Sequence, residues 1–308
     1  MVTFLPTRPG RLADVPSFDR AIGGAESNVA CALAAAGHAV RWVSRVGADG
    51  FGDHLVETVA SYGVDVSSVG RDPVRPTGVY FRTAGDRATD AHEVAYYRAG
   101  SAASAMSPAN VDVGAVRAAG RVLHLSGITA ALSEGCLALL RELTAPAGGG
   151  PPLVSFDVNY RAGLWTGFGG AEILLELARC ADLVFVGEDE AEQAWGVTGG
   201  PSAVRELLPE PEVLVVKQGA KGATAFVSAA ARWGLVAQFP APLKGRCSSR
   251  ASPAAGGLTA PQLRAGVPQG GTGGRWGSPR PKAGGGTLPA PVSDPTPRPQ
   301  PTVTFEPA

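Results

Sequence analysis

Short apolar runs rich in β-branched residues alternate with Ala/Leu-rich stretches over the first 227 residues, and this alternation constrains the fold most strongly. Five of the runs read as strands buried on both faces, namely AVRWVSRVG, RVLHLSG, PLVSFDVN, ADLVFVGE and EVLVVKQG. Seven stretches have helical spacing: 27–36, 51–62, 108–119, 133–144, 171–180, 188–196 and 201–208. Strands that alternate with helices imply right-handed crossovers. We therefore expect an α/β domain in three layers around a mostly parallel sheet.

Residues 76–98 depart from this alternation. The segment TGVYFRTAGDRATDAHEVAYYR contains two strand-like runs around a polar Gly/Asp turn, which predicts an antiparallel hairpin that projects from the main sheet. The hairpin closes with Tyr96, Tyr97 and Arg98. Two aromatic rings beside a guanidinium suit a polar ligand that carries a carboxylate. The alternative is that one face of the hairpin packs on a partner subunit.

The pattern fails after about Ser228. Residues 245–308 contain 12 Gly and 12 Pro and show no sustained helical or strand periodicity, which is the composition of an irregular or disordered tail. We therefore predict one domain over 1–228 and a low-complexity tail over 229–308. The tail is either a natural flexible extension or the product of a slipped reading frame in GC-rich DNA.

Charge and cysteine content exclude several classes of protein. Residues 229–308 carry nine basic and two acidic residues, a charge of +7, whereas residues 1–228 carry 18 and 25, a charge of −7. The acidic part offers no basic stripe for nucleic acid. No apolar run approaches the ~18 residues of a membrane span, and no basic and apolar leader opens the chain. The four cysteines form no C-x-x-C pair, which argues against a zinc site or a disulfide framework and fits a reducing cytoplasm.

The segment GGAESNVACALAAAG, residues 23–37, places two glycines before a helical stretch. Gly23 and Gly24 would let the backbone approach a ligand, and the helix that begins near Ser27 would present unpaired N–H groups and its positive dipole end. Glu26 or Asn28 would add side-chain contacts to hydroxyls or to an anion. The alternative is a plain turn with Ser27 as the N-cap.

Polar residues also follow three of the predicted strands. Asp157 and Arg161 in SFDVNYRAGLW lie at the carboxyl end of a predicted strand, where open α/β sheets bind ligands. The planar guanidinium of Arg161 suits a phosphate group. The alternative is that Arg161 forms a salt bridge at the strand end. The acids of VFVGEDEAEQAWG favour a helix N-terminus or hold Mg²⁺. In VVKQGAKGATAF, Lys217 or Lys221 reaches a nucleotide phosphate or belongs to an ordinary hairpin. The glycines of SRVGADGFGD fit a structural turn capped by Asp49 or Asp53.

The order of these motifs along residues 2–227 resembles that of the ribokinase-like, phosphofructokinase B type sugar kinases. The YYR segment is most similar to that of 2-keto-3-deoxygluconate kinases. The resemblance implies an ATP-dependent kinase that phosphorylates a small sugar or sugar acid with Mg²⁺. It also implies a Rossmann-like αβα domain with a small β-stranded lid, from about 1–20 and 76–98, through which homodimers form. No nucleic-acid or membrane partner is implied.

The resemblance also assigns residues to roles. It implies that substrate contacts come from Gly23, Gly24, Asn28, Tyr80, Tyr97, Arg98 and Asp157. It implies that the nucleotide and its phosphates are bordered by Arg161, Lys217, Gly219 and Gly222, and that Glu190 serves the Mg²⁺-phosphate network.

The chain departs from the family pattern in three places. No Gly-Ala-Gly-Asp element follows Phe226, and no Asp occurs between Asp189 and Asp294, so no catalytic base is assigned. Gly187 stands where the family's N-x-x-E element has asparagine, and the chain opens partway into the family's first strand, so that a central strand is expected to be missing. We therefore expect an impaired kinase. The alternatives are a non-catalytic sugar-binding or regulatory protein on the same fold and a non-functional truncated product.

Overall fold

The computed structural model describes residues 1–83, 93–146, 152–165 and 169–228, together with the backbone of 302–305. The predicted turn of the lid hairpin and most of the predicted tail lie outside the described residues. Each helix in the described ranges is too short or too polar to span a lipid bilayer.

Helices and strands alternate through the described chain. The helices are α1 (Ala25–Ala35), α2 (Gly50–Ser61), α3 (Val113–Ala118), α4 (Gly127–Ala130), α5 (Glu134–Thr144), α6 (Gly170–Arg179), α7 (Glu188–Trp195) and α8 (Gly200–Leu207). The strands are β1 (Val2–Pro6), β2 (Phe18–Ile22), β3 (Val40–Gly47), β4 (Val69–Asp72), β5 (Val79–Arg82), β6 (Val94–Tyr97), β7 (Val122–Ser126), β8 (Leu153–Asp157), β9 (Leu183–Gly187), β10 (Val213–Lys217), β11 (Ala223–Val227) and β12 (Thr302–Phe305).

The main sheet has eight strands in the order β11-β10-β9-β8-β7-β12-β3-β4. Only β11 among these strands runs antiparallel to its neighbour, and the other pairs are parallel. Parallel strands need crossover connections, which the intervening helices supply. The expected α/β fold class with a mostly parallel sheet is confirmed.

Helices cover both faces of the main sheet. On β3, Trp42 packs in one apolar cluster with Leu55 and Val59 of α2. The next residue, Val43, packs in a second cluster with Leu139 of α5. Because successive strand residues point to opposite faces, the two clusters lie on opposite sides of the sheet. This arrangement is the predicted three-layer αβα architecture.

Residues 302–305 form the strand between β7 and β3, parallel to both. The sequence predicts an irregular tail here, so these four residues depart from that prediction. It also predicts a missing central strand, and β12 makes the main sheet continuous between β7 and β3. Backbone pairing with two neighbours provides the hydrogen-bonding partners that a central strand position requires.

Side chains cap α5 and α2, the second of them as predicted, whereas the predicted cap of α1 is absent. Ser133 accepts a hydrogen bond from Cys136 N at 3.0 Å and caps α5. Asp49 accepts from Gly52 N at 2.8 Å and caps α2, and it also accepts from Thr77 N at 2.8 Å. Helix α1, however, begins at Ala25 with Gly24 at its N-cap, so Ser27 is not the cap. The glycine pair itself therefore forms the turn into α1.

A second sheet, which we call the lid, has four strands in the order β2-β1-β5-β6. Strand β1 pairs antiparallel with β2 and parallel with β5, and β5 pairs antiparallel with β6. The lid therefore combines the start of the chain with the hairpin of residues 76–98. Strand β2 runs into Gly23 and Gly24 and from there into α1, which connects the lid to the main sheet.

Candidate functional site

Strands β7, β8, β9 and β10 end at the same edge of the main sheet. They are parallel neighbours, and their registers pair Ser126 with Asp157 and Lys217 with Gly187. The carboxyl edge of an open α/β sheet is where such folds bind ligands. The sequence-predicted residues Asp157 and Lys217 therefore lie at one edge, together with the start of α7.

Four charged side chains meet at this edge and form what we call the charged cluster: Asp157, Arg161, Glu190 and Lys217. Lys217 Nζ lies 2.8 Å from Asp157 Oδ1 and 3.6 Å from Glu190 Oε2. Arg161 Nη1 lies 3.2 Å from Glu190 Oε1. Burial opposes the charge on Lys217, but Asp157 and Glu190 outweigh it and raise the pKa of Lys217. The salt bridge left open for Arg161 by the sequence is present.

The chain bends sharply after Asp157. Asn159 is buried and has a positive φ of 44°, a conformation that asparagine tolerates better than most residues. Its Nδ2 donates to Ser126 Oγ at 3.3 Å, which holds the bend against the end of β7. Gly127 lies beneath, where a Cβ atom would overlap the carbonyl oxygen of Val158. The ends of β7 and β8 approach so closely that position 127 requires glycine. The bend after β8 leads the chain to Arg161, whose side chain reaches α7.

A buried polar pair lies under the charged cluster. His124 of β7 is hydrogen-bonded to Ser155 of β8, with 3.0 Å between Nδ1 and Oγ. Burial and, secondarily, the positive charge of Lys217 lower the pKa of His124 to about 4. His124 is therefore neutral near pH 7 and leaves the charge of the cluster unchanged.

Gly23 and Gly24 lie beside this edge, and we call this pair the glycine floor. The helix α1 that follows it contacts β3, β7 and β12. Glu26 is 1% exposed, and Thr129 Oγ1 of α4 donates to its Oε1 at 3.0 Å. This bond joins the start of α1 to the segment that follows β7. Because Thr129 follows the carboxyl end of β7, the start of α1, with Gly23, Gly24 and Asn28, lies at the same edge of the main sheet as Asp157.

The lid covers the floor through Tyr80. A Cβ atom on Gly23 would overlap the Tyr80 hydroxyl, so the absence of a side chain at 23 gives that hydroxyl its place. Tyr80 stacks on Tyr96 with ring centroids 5.5 Å apart. The Arg98 guanidinium lies 4.6 Å from the centroid of the Tyr96 ring. Tyr80, Tyr96 and Arg98 thus form one continuous group, which we call the lid triad.

Tyr97 lies apart from the lid triad. Tyr97 is 65% exposed, and its ring packs edge-on against Phe81, with 5.9 Å between centroids. Neighbouring strand residues point to opposite faces, so Tyr96 shares the face of Tyr80 and Tyr97 does not. The structure therefore places Tyr96, rather than the sequence-predicted Tyr97, with Tyr80 and Arg98.

The turn between β10 and β11 carries the residues predicted to border a nucleotide. Gly219 and Gly222 have positive φ values of 57° and 105°, which glycine adopts without strain. Two hydrogen bonds hold the side chain of Gln218 in this turn. Its Nε2 donates to Glu188 Oε2 at 3.0 Å, and its Oε1 accepts from Thr224 Oγ1 at 2.9 Å. The expected hairpin is present, with Lys217 at its base.

The predicted metal ligand, Glu190, does not fit direct coordination of Mg²⁺. Its Oε2 accepts from Gly187 N at 2.9 Å and faces Lys217, while its Oε1 accepts from Arg161. Across the described ranges, no group of three His, Cys, Asp or Glu side chains is placed to hold a metal ion. A metal ion at Glu190 would have to displace two cationic partners. Gly187, where asparagine is usual, lacks a side chain that would add an amide ligand.

Several residues of the site are not predicted from the sequence. The Glu26–Thr129 bond joins positions 103 apart, and no local pattern marks it. Gln218 and Ser126 lie inside motifs that were recognised, yet their partners depend on which strands are neighbours. Tyr96 was visible in the YYR segment, and only the strand register separates it from Tyr97.

Known proteins resemble this chain in sequence and in fold. Residues 2–240 match the model of the pfkB family carbohydrate kinases. A 2-dehydro-3-deoxygluconokinase of Thermoproteus tenax is 35% identical over 221 residues, which cover 71% of this chain and 66% of that protein. The Bacillus subtilis protein of the same name is 32% identical over 227 residues, covering 72% and 69%.

A crystal structure of a PfkB protein from Polaromonas sp. JS666 superposes with a TM-score of 0.68 at 35% identity, covering 74% of this chain and 77% of that one. The chain spans about two thirds of the length of the two curated relatives, 66% and 69%.

Proposed function

Because the chain belongs to the pfkB family of carbohydrate kinases, we propose that its site binds a sugar acid of the 2-keto-3-deoxygluconate type as an ATP-dependent kinase would. The observation that carries this proposal is the lid triad above the glycine floor. Tyr80 offers a hydroxyl beside Gly23, and Arg98 supplies a cation at the same face of the lid. Hydroxyl contacts near Gly23 and Gly24 and a carboxylate at Arg98 are the complementary features of a sugar acid.

The nucleotide is proposed to lie beside the turn between β10 and β11. Lys217 and Arg161 supply positive charge at the carboxyl edge, and Gly219 and Gly222 leave the turn without side chains that would block a planar base. Asp157 lies between the sugar and nucleotide sides of the site. In phosphoryl transfer the protein contributes mainly position and electrostatic stabilisation.

We further propose that transfer is impaired. The family's Gly-Ala-Gly-Asp element would supply backbone N–H groups for the transferring phosphate and an aspartate as base, and the sequence contains no such element after Phe226. A general base contributes about 10²–10⁴-fold, and one donor to developing negative charge about 10²–10³-fold. Binding residues and transfer residues are therefore separable in this chain.

We expect the purified chain to bind 2-keto-3-deoxygluconate and to turn ATP over at least about 10⁴-fold more slowly than the Thermoproteus tenax enzyme. Calorimetric titration measures binding, and a coupled assay for ADP measures turnover. Turnover within about tenfold of that enzyme would contradict the impairment.

A non-catalytic sugar-binding or regulatory protein on the same fold is the second candidate. The assembled lid triad and glycine floor favour it, together with the missing transfer element. It predicts saturable sugar binding with no ADP release at any sugar concentration. Absence of sugar binding in a chain that unfolds cooperatively would count against both candidates, whereas failure to unfold cooperatively would favour a non-functional truncated product.

The Arg98 side chain is expected to select the carboxylate. Arg98→Gln should weaken binding of 2-keto-3-deoxygluconate about 10- to 100-fold, because a charge-assisted hydrogen bond contributes about 1.5–3 kcal/mol. Binding of fructose, which has no carboxylate, should change less than about threefold. The matched control is Arg20→Gln on β2, at the opposite edge of the lid from β6. Equal losses for the acid and the neutral sugar would rule out carboxylate recognition by Arg98.

Homodimers through the lid and use of Mg²⁺ with ATP are further elements of the proposal that come from the family resemblance. A cytoplasmic location is proposed from the cysteine pattern. The lid exposes Tyr97 on the face away from Tyr80, a surface that suits contact with a second subunit.

A further inference from the structure

The charged cluster is electrically complete without a metal ion. Asp157 and Glu190 contribute two negative charges, and Arg161 and Lys217 contribute two positive charges. Lys217 is the member that faces both carboxylates, at 2.8 Å from Asp157 and 3.6 Å from Glu190. Arg161 faces only Glu190 among the acids of the cluster. The ammonium group of Lys217 therefore lies where a bridging cation between the two carboxylates would lie.

Strand order accounts for the choice of lysine. Asp157 ends β8 and Lys217 ends β10, with β9 between them. Neighbouring strands lie about 4.8 Å apart, so the two backbones are separated by about 10 Å. A long, flexible side chain is needed to cross that distance, and lysine carries its charge at the end of such a chain. Gly187, which ends β9, places no side chain of its own at that end of the strand.

The carboxylates are also held by donors that a metal ion would have to replace. Both oxygens of Glu190 accept hydrogen bonds, Oε2 from Gly187 N at 2.9 Å and Oε1 from Arg161 Nη1 at 3.2 Å. Asp157 Oδ1 accepts from Lys217. Mg²⁺ and Mn²⁺ bind carboxylates that are free to coordinate, and a nearby ammonium repels them.

We infer that Lys217 is the built-in counter-cation of Asp157 and Glu190 and takes the place of a directly bound divalent ion at this edge. The chain therefore holds no divalent ion directly on Glu190, in contrast to the role that the family resemblance assigns to this residue. Removal of the lysine charge leaves two carboxylates against one arginine and opens the cluster to a divalent cation. This inference rests on the same site as the proposed kinase but requires no turnover.

The test is a titration of the full chain with Mn²⁺ in the absence of nucleotide. The electron paramagnetic resonance signal of free Mn²⁺ measures how much of the ion is bound. We expect no saturable binding below about 1 mM for the unchanged chain, for Lys217→Arg or for the matched control Lys221→Met, which changes an exposed lysine in the turn. Lys217→Met should bind Mn²⁺ at least about tenfold more tightly. Adding Glu190→Gln to Lys217→Met should remove that gain.

Two results would overturn the inference. One is saturable Mn²⁺ binding by the unchanged chain that Glu190→Gln abolishes, since it would show direct coordination beside Lys217. The other is a folded Lys217→Met variant, with a thermal unfolding midpoint near that of the unchanged chain, whose Mn²⁺ affinity equals that of Lys217→Arg. The first result needs no substitution at Lys217, so the inference stays testable even if Lys217→Met does not fold. Loss of sugar binding alone would bear on the proposed function and not on the cation.

Discussion

Replacing Gly23 by alanine is expected to weaken sugar binding about 10- to 100-fold while leaving the chain folded. The added Cβ would overlap the Tyr80 hydroxyl, which is the end of a flexible side chain and can swing away at little cost to stability. Its displacement removes the hydroxyl from the floor and crowds the backbone of Gly23. Two lost hydrogen bonds at about 0.5–1.5 kcal/mol each account for the range. Calorimetric titration with 2-keto-3-deoxygluconate measures the effect.

A double-mutant cycle with Tyr80→Phe tests whether Gly23→Ala acts by displacing the Tyr80 hydroxyl. If the alanine acts by displacing the hydroxyl, Gly23→Ala should cost clearly less in the Tyr80→Phe background. Gly163→Ala is the matched control, because a Cβ at 163 meets no atom within 4 Å. Additive effects of the two substitutions would show that Gly23 and Tyr80 act independently. Unchanged affinity in Gly23→Ala would remove the glycine pair from the proposed sugar site.

Replacing Phe156 by alanine is expected to lower the free energy of unfolding by about 3–5 kcal/mol. Phe156 is fully buried in β8, directly before Asp157, and belongs to the apolar cluster that contains Leu139 and Leu174. Its removal leaves a cavity under the charged cluster, so sugar affinity should fall as well. Unfolding in guanidinium chloride, monitored by circular dichroism, measures the change in the free energy of unfolding.

The control for this substitution is Phe51→Ala. Phe51 is 39% exposed at the start of α2 and packs edge-on against Phe4 of the lid. Its loss should cost about 1 kcal/mol, the range of an aromatic pair, and should not create a buried cavity. A loss below about 1 kcal/mol for Phe156→Ala would contradict the packing described for β8.

Elements with a strong apolar stripe and a cap were predicted closely from the sequence. Helix α5 was expected over 133–144 and covers Glu134–Thr144, with Ser133 as the cap. Helix α3 was expected over 108–119 and covers only Val113–Ala118. Asn110 accounts for the difference, because its side chain bonds Ser107 N at 3.0 Å and Ala105 O at 2.8 Å. These bonds form a turn that competes with a helical start.

The candidate site was predicted at the level of motifs but not of contacts. Asp157 and Lys217 were each placed at a strand end, yet their ion pair depends on β9 lying between β8 and β10, which no local pattern encodes. Similarly, the sequence does not show which of the adjacent residues Tyr96 and Tyr97 lies on the same face of the lid as Tyr80. The register that pairs Tyr80 with Tyr96 sets which ring faces the floor. Residues 302–305 gave no strand signal, since their pairing is with strands far away in the chain.

The passage from β2 through Gly23 and Gly24 into α1 has a mechanical consequence. This pair is the direct covalent joint between the lid strand β2 and the first helix of the main domain, and neither residue carries a side chain that would stiffen it. Any rotation of the lid relative to the main sheet would therefore turn the backbone bonds of this pair. Under the proposed function the sugar would contact this pair, and its binding would then be coupled to any turning of the lid. The measured affinity would then include the work of that turning.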